Sequence, residues 1–194
     1  MSRLPAIRLA LAARTPHEVH APGARPAAVA LVLVETDERL ELLFIERAIR
    51  AGDPWSGQVA FPGGRRDPID TDLTATAIRE TREETGVDLD HAERLGVLDD
   101  LHPLTPLLPP VVVRPVVFTL PQRPPILPSV EAREGFWLPV TDLKARGVYR
   151  EVTVTPPGGT SFTVPAYLLG TRTIWGMTER ILTPFLDLLA LPAT

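Results

Sequence analysis

Three glutamates within five residues constrain this chain more than any other feature. They lie in the run 79–87, RETREETGV. In a helix, Glu80, Glu83 and Glu84 stand at i, i+3 and i+4, on one face and near enough to share an ion. Like charges at that spacing destabilise a helix by about 0.2–0.5 kcal/mol per pair. Something positive is therefore expected among them. Arg79 and Arg82 are candidates, and a divalent metal is the other.

The flanks support a helix. Asp70, Thr71 or Asp72 can cap its start with a side-chain oxygen. Leu73, Ala77 and Ile78 form an apolar stripe at helical spacing. Gly86 suits the left-handed residue that ends a helix. Upstream, FPGG (61–64) reads as a strand end and a tight loop, where glycines bring the backbone close to a ligand. A glycine loop feeding a carboxylate-lined helix suits a metal–diphosphate site.

These residues resemble the Nudix hydrolase signature: Gly, five residues, Glu, seven residues, then Arg-Glu-apolar-x-Glu-Glu-x-Gly-apolar. The second half matches closely, with Thr81 at the apolar position. From Gly64, five residues lead to Asp70 in place of Glu, and eight instead of seven separate it from Arg79. That variation resembles the coenzyme A pyrophosphatase branch. Upstream, Leu43 and Arg47 match the branch's strand end, and Gly57, Gln58 and 61–64 match its finish. Ile45 stands where Thr is usual, the branch histidine is absent, and the spacer is one residue longer. The run IWGMT (174–178) also resembles the branch, whose chains tend to end in Ile-Trp-Gly-Leu-Thr and a helix.

The resemblance implies an α/β fold, the Nudix-type α/β/α sandwich with a central mixed sheet. It implies a pyrophosphohydrolase using Mg2+ or Mn2+. Glu80, Glu83 and Glu84 would be catalytic metal ligands, with a backbone carbonyl near Gly64 helping. Glu131 aligns with a recurrent acidic position as an extra ligand or base, and capping a helix at 141–146 is its other reading. Glu80 or Glu131 would take the proton. Arg79 would hold a carboxylate in place, and Asp70 would cap the helix. Arg47, Arg50 and Gly63 are candidates for the substrate's phosphates, since guanidinium groups grip phosphate oxygens in a fixed fork. Trp55 would stack on a base or seal its loop. A homodimer fits the family.

Composition narrows the rest. With 194 residues, one domain with a sizeable core is expected, residues 27–194, preceded by an arm at 1–26. The net charge of −4 advertises no basic surface, so nucleic acid is not the expected partner. There are no cysteines, which excludes thiolate chemistry and disulfides. No apolar run reaches membrane-spanning length, and no signal-peptide pattern opens the chain. A cytoplasmic enzyme acting on a small nucleoside diphosphate is expected.

Along the chain, a helix is expected near 4–14. Strands are expected at 27–35 and 40–47, pairing as a hairpin. Further strands are expected at 59–61, 97–101 and 111–120, with Pro115 marking an edge or bulge. Asp99 and Asp100 read as turn residues or as outer-shell metal contacts. His102 is a structural hydrogen-bonder or a ligand. A hairpin-like pair spans 152–154 and 161–164, and Trp137 reads as core. Ile181, Leu182, Phe185, Leu186 and Leu189 stripe a final helix. Three functions compete: a coenzyme A diphosphatase; a diphosphatase for ADP-ribose, NADH or dinucleoside polyphosphates; and a non-catalytic nucleotide sensor.

Overall fold

A computed structural model describes residues 2–36, 39–49, 56–103, 109–155 and 160–189. Arg50 and Trp55 lie outside the described residues. Helix α1 is Leu4–Ala12, followed by strands β1 (Arg25–Glu35), β2 (Leu40–Arg47), β3 (Val59–Ala60) and β4 (Gly63–Arg65). Helix α2 is Leu73–Thr85; then come β5 (Glu93–Val97), β6 (Val111–Leu120), β7 (Ala132–Pro139) and the short α3 (Val140–Leu143). Strands β8 (Tyr149–Val154), β9 (Phe162–Leu169) and β10 (Arg172–Trp175) precede the last helix, α4 (Met177–Leu188).

Among the described residues, seven strands form a mixed sheet ordered β3-β2-β1-β6-β5, with β4 also on β1 and β7 also on β2. β1 and β6 run parallel over their whole length, from Arg25 opposite Val111 to Val34 opposite Leu120. Both lie in the interior, which is why their sequences are nearly unbroken apolar runs. A second, antiparallel sheet has the order β10-β9-β8.

Side-chain alternation along β1 divides the core in two. Ala28, Ala30 and Val32 face α2 and its Ala77, with Val116 and Phe118 beside them. Leu31 and Leu33 face the other way, toward Phe185, Leu182 and Ile181 of α4 and Ile7 and Leu11 of α1. Helices therefore cover both faces of the sheet. Ala28 and Ala30 on β1 and Ala77 on α2 have no accessible surface, so the helix axis lies close to the strand. Full burial of a side chain such as Phe185 contributes roughly 2–3 kcal/mol.

One edge of β1 is shared, and this positions the site. β2 pairs with its C-terminal half, Leu33 to Glu35. β4 pairs with its N-terminal half, Ala27 to Val29. β2 splays away to pair with β3 and β7. The sheet forks there, and the glycine loop lies in the fork.

Several expectations need correction. The strand expected at 97–101 is Glu93–Val97 instead. Asp99 and Asp100 neither turn the chain nor face a metal site: they tie down the N-terminal stretch. Asp99 accepts from Arg14 and the His17 amide, and Asp100 from Arg114 and the Val19 amide. Pro115 sits in an interior strand. Its carbonyl accepts from Leu98, just past the end of β5, so the N–H it lacks would have pointed where the ladder has already stopped. Helix α3 starts after Pro139 with no side-chain cap, so Glu131 caps nothing there. Trp137 is half-buried against the α2-side core. Ile7 and Leu11 of α1 are buried in the main core.

Candidate active site

Helix α2 carries the site, and its ends are fixed as its sequence requires. Asp72 accepts from the Ala75 amide at 2.8 Å, and Gly86 closes the helix at φ 70°. Asp70 is therefore not the cap. Its buried carboxylate accepts two parallel bonds from Arg79, Nε to Oδ1 and Nη2 to Oδ2, both 2.9 Å. Thr76 Oγ1 and the Asp67 amide complete its shell, each at 2.9 Å. These donors, the guanidinium foremost, hold the Asp70 carboxyl well below the ordinary aspartate range, and the Asp70 carboxylate, with Glu80, raises Arg79 in turn against its burial. Arg82 does not serve the acidic face, because it pairs with Asp88 and Asp90.

The clamp on Asp70 aims the rest of Arg79. Its Nη1 lies between Glu80 Oε1, at 2.9 Å, and Glu83 Oε2, at 3.0 Å. Glu83 is on the solvent side, more than half exposed, whereas Glu80 points inward. Glu84 is buried, and its Oε2 accepts from the Gly63 amide at 2.8 Å. The Gly63 amide thus holds Glu84 in this structure.

Both loop glycines are required by close approach. A Cβ on Gly63 would sit 2.3 Å from the Ala28 carbonyl oxygen, and one on Gly64 would sit 2.5 Å from the Glu80 carboxylate. The glycine pair lets strand and acidic helix meet.

These groups wall a cleft of about 410 Å³ in the fork of the sheet. Glu80, Glu84, Gly63 and Gly64 form one side, and Arg47, Gln58 and Glu131 join them. Thr178, the last residue of the IWGMT run, and Ile181 of the α4 stripe also line the cleft, a contact that neither pattern disclosed. Glu131 reaches the cleft on a strap that crosses the end of α2. In that strap the Leu127 amide bonds the Thr85 carbonyl and the Ser129 amide bonds the Glu84 carbonyl, at 2.8 and 3.1 Å. Arg47 is at the end of β2, where the register against β7 shifts.

The electrostatics show what the cleft lacks. Burial, together with the charges of Glu80 and Glu131, raises Glu84 to about 7, against the opposing pull of the Gly63 amide and Arg47. Burial also raises Glu80, aided by Glu83 and Glu131 and opposed by Arg79. One guanidinium faces Asp70, Glu80 and Glu83 together. Among the described residues, no three His, Asp or Glu side chains are drawn together as a metal centre. The donor set nonetheless fits a hard divalent cation: carboxylate oxygens on a rigid helix with too little positive charge around them.

A mixed sheet between helices, with a glycine loop pressed on an acidic helix over a cleft, defines a Nudix-type hydrolase. A model of the NUDIX domain matches residues 24–156. The human mitochondrial coenzyme A diphosphatase NUDT8 is 33% identical over 171 residues, covering 86% of this chain and 71% of that protein. The mouse peroxisomal coenzyme A diphosphatase NUDT7 is 38% identical over 103 residues, covering 53% of this chain and 42% of that protein. A MutT/nudix family protein from Enterococcus faecalis superposes with a TM-score of 0.58 at 21% identity, over 94% of this chain and 67% of that one. The chain belongs to the NUDIX family. It is a pyrophosphohydrolase, similar to the family's coenzyme A diphosphatase branch.

Proposed function

We propose that this enzyme hydrolyses the diphosphate of coenzyme A or its derivatives, giving adenosine 3',5'-bisphosphate and 4'-phosphopantetheine. The observation that carries this reading is the buried Glu84, raised by its surroundings and held by Gly63 beside Glu80 in one cleft. The coenzyme A diphosphatases among its relatives supply the substrate class. Glu80, Glu83 and Glu84, with the Gly64 carbonyl, would hold Mg2+ or Mn2+. When bound, the cation would neutralise the diphosphate and activate water.

The chain's own groups do the remainder. Arg79 fixes the acidic face by its grip on Asp70, with Glu80 and Glu83 arranged about Nη1. Arg47 faces the cleft as the cation for a phosphate oxygen, and Arg50 of the adjoining segment is a second candidate. Glu131, exposed to solvent on its strap, takes the proton from the attacking water. Water's oxygen forms the new P–O bond as the bridging P–O bond breaks, and the bridging oxygen leaves with the other phosphate. Residues 27–194 act as one catalytic unit.

A panel of coenzyme A, ADP-ribose, NADH and a dinucleoside polyphosphate, assayed with Mg2+ or Mn2+, tests the reading. Coenzyme A should give the highest kcat/KM. Preference for another diphosphate would replace the substrate, and no turnover of any would remove the catalytic reading. Among the described residues, no helix is long and apolar enough to cross a membrane.

A further inference from the structure

A second compartment adjoins the catalytic cleft. It measures about 700 Å³, within the range of small-molecule sites, roughly 300–1,000 Å³. Gln58 lines both spaces, and the two alternate along β3, with Val59 in one and Ala60 in the other. They meet again at the turn before α4, where Trp175 lines the second compartment and Met177 the first. Gln58 is the residue common to both, so a molecule with its diphosphate beside Glu84 and Arg47 would cross Gln58 to reach the second compartment.

The chemistry of the compartment is specific. Its charged lining residues are Glu46, Arg133, Glu134 and Arg172, and they are matched in pairs. Arg133 meets Glu46 at 2.8 Å and Arg172 meets Glu134 at 2.9 Å. The Arg172 guanidinium also lies 4.0 Å over the Phe136 ring. Among the described lining residues, no cation is left over for another phosphate. The other polar side chains include hydroxyls at two-residue spacing, Thr153 and Thr155 on one wall, Thr171 and Thr173 on another. Thr153 lies on β8 and Thr173 on β10, with Thr155 and Thr171 just beyond the strand ends. Trp175 and Leu168 add apolar surface.

We infer that this compartment receives the uncharged, hydrogen-bonding half of the diphosphate substrate. Resting on the function proposed above, that half is the amide-bearing pantetheine arm, and the phosphate-rich nucleoside half lies elsewhere. The compartment then sets which diphosphates the enzyme accepts.

Thr153→Trp tests this. Thr153 is exposed on β8, a strand at the edge of its sheet, where tryptophan suits strand geometry. Wild type and variant are titrated calorimetrically with 4'-phosphopantetheine and, separately, with adenosine 3',5'-bisphosphate. The variant should bind 4'-phosphopantetheine about tenfold more weakly, a change of about 1.4 kcal/mol, and bind the bisphosphate as before. Equal weakening of both, no change in either, or no binding of 4'-phosphopantetheine by wild type would overturn the inference. Turnover of coenzyme A by wild type is scored separately. Its absence refutes the proposed reaction, whereas a variant without selectivity refutes only the compartment's role.

Discussion

Arg79 and Asp70, nine residues apart, meet through two parallel bonds of 2.9 Å, with Asp70 almost fully buried. That grip fixes where the third guanidinium nitrogen points, and so where Glu80 and Glu83 lie. The residue that departs from the usual signature thus works through the arginine.

Asp70→Ala should destabilise the fold by about 1–3 kcal/mol at pH 7, because it removes the two-bond partner of a partly buried guanidinium and leaves its Nε without an acceptor. Chemical denaturation would measure it. The sign with pH is fixed. The folded-state pKa of Asp70 is depressed, so its contribution is present above the ordinary value of 3.8 and is lost as pH falls below it. The wild-type and variant curves should converge in acid.

The two glycines should fail differently. A Cβ on Gly64 meets the movable end of Glu80, so Gly64→Ala should fold and lose activity, on the order of a hundredfold in kcat for a displaced ligand. A Cβ on Gly63 meets backbone at Ala28 and Val29. Gly63→Ala should therefore lower the melting temperature as well as activity. Thermal scans beside turnover assays separate the two.

Glu84 should make the metal-free protein less stable as pH rises. The unfolded chain releases this proton near 4.5, and the folded protein keeps it to about 7. The native state therefore binds more protons inside that window, and stability falls by roughly 3 kcal/mol across it. Urea denaturation in a chelating buffer would show the slope, and Glu84→Gln should flatten it.

Much of this was readable along the chain. The stripe on α4, the apolar run of β1 and the Gly86 cap are local patterns, and each took the form that its spacing predicts. The acidic positions were equally visible, as was Glu131. What the chain alone did not disclose depends on contacts made across the fold. Asp70 looks like a helix cap because caps are acidic and sit just upstream, yet Asp72 is better placed and Asp70 turns to Arg79. The strand at β5 was shifted because Asp99 and Asp100 follow the apolar Val97 and Leu98, and only the folded arm at Arg14 and His17 explains them. The separation of Glu83 from Glu80 and Glu84 depends on Arg79, which helical spacing cannot foresee.

Asp72→Ala removes the side-chain acceptor at the start of α2 and should cost about 1 kcal/mol of stability. It should leave KM nearly unchanged, since Asp72 lies outside the cleft. A large rise in KM would mean that the helix start itself touches substrate.

The most direct test of the account is the turnover of coenzyme A by Glu84→Gln in saturating Mg2+ or Mn2+. Glu84→Gln should lose at least about a hundredfold in kcat, as when a charge-stabilising group is removed, while remaining a folded, cooperatively melting protein. Glu84→Gln retaining wild-type turnover would contradict the account.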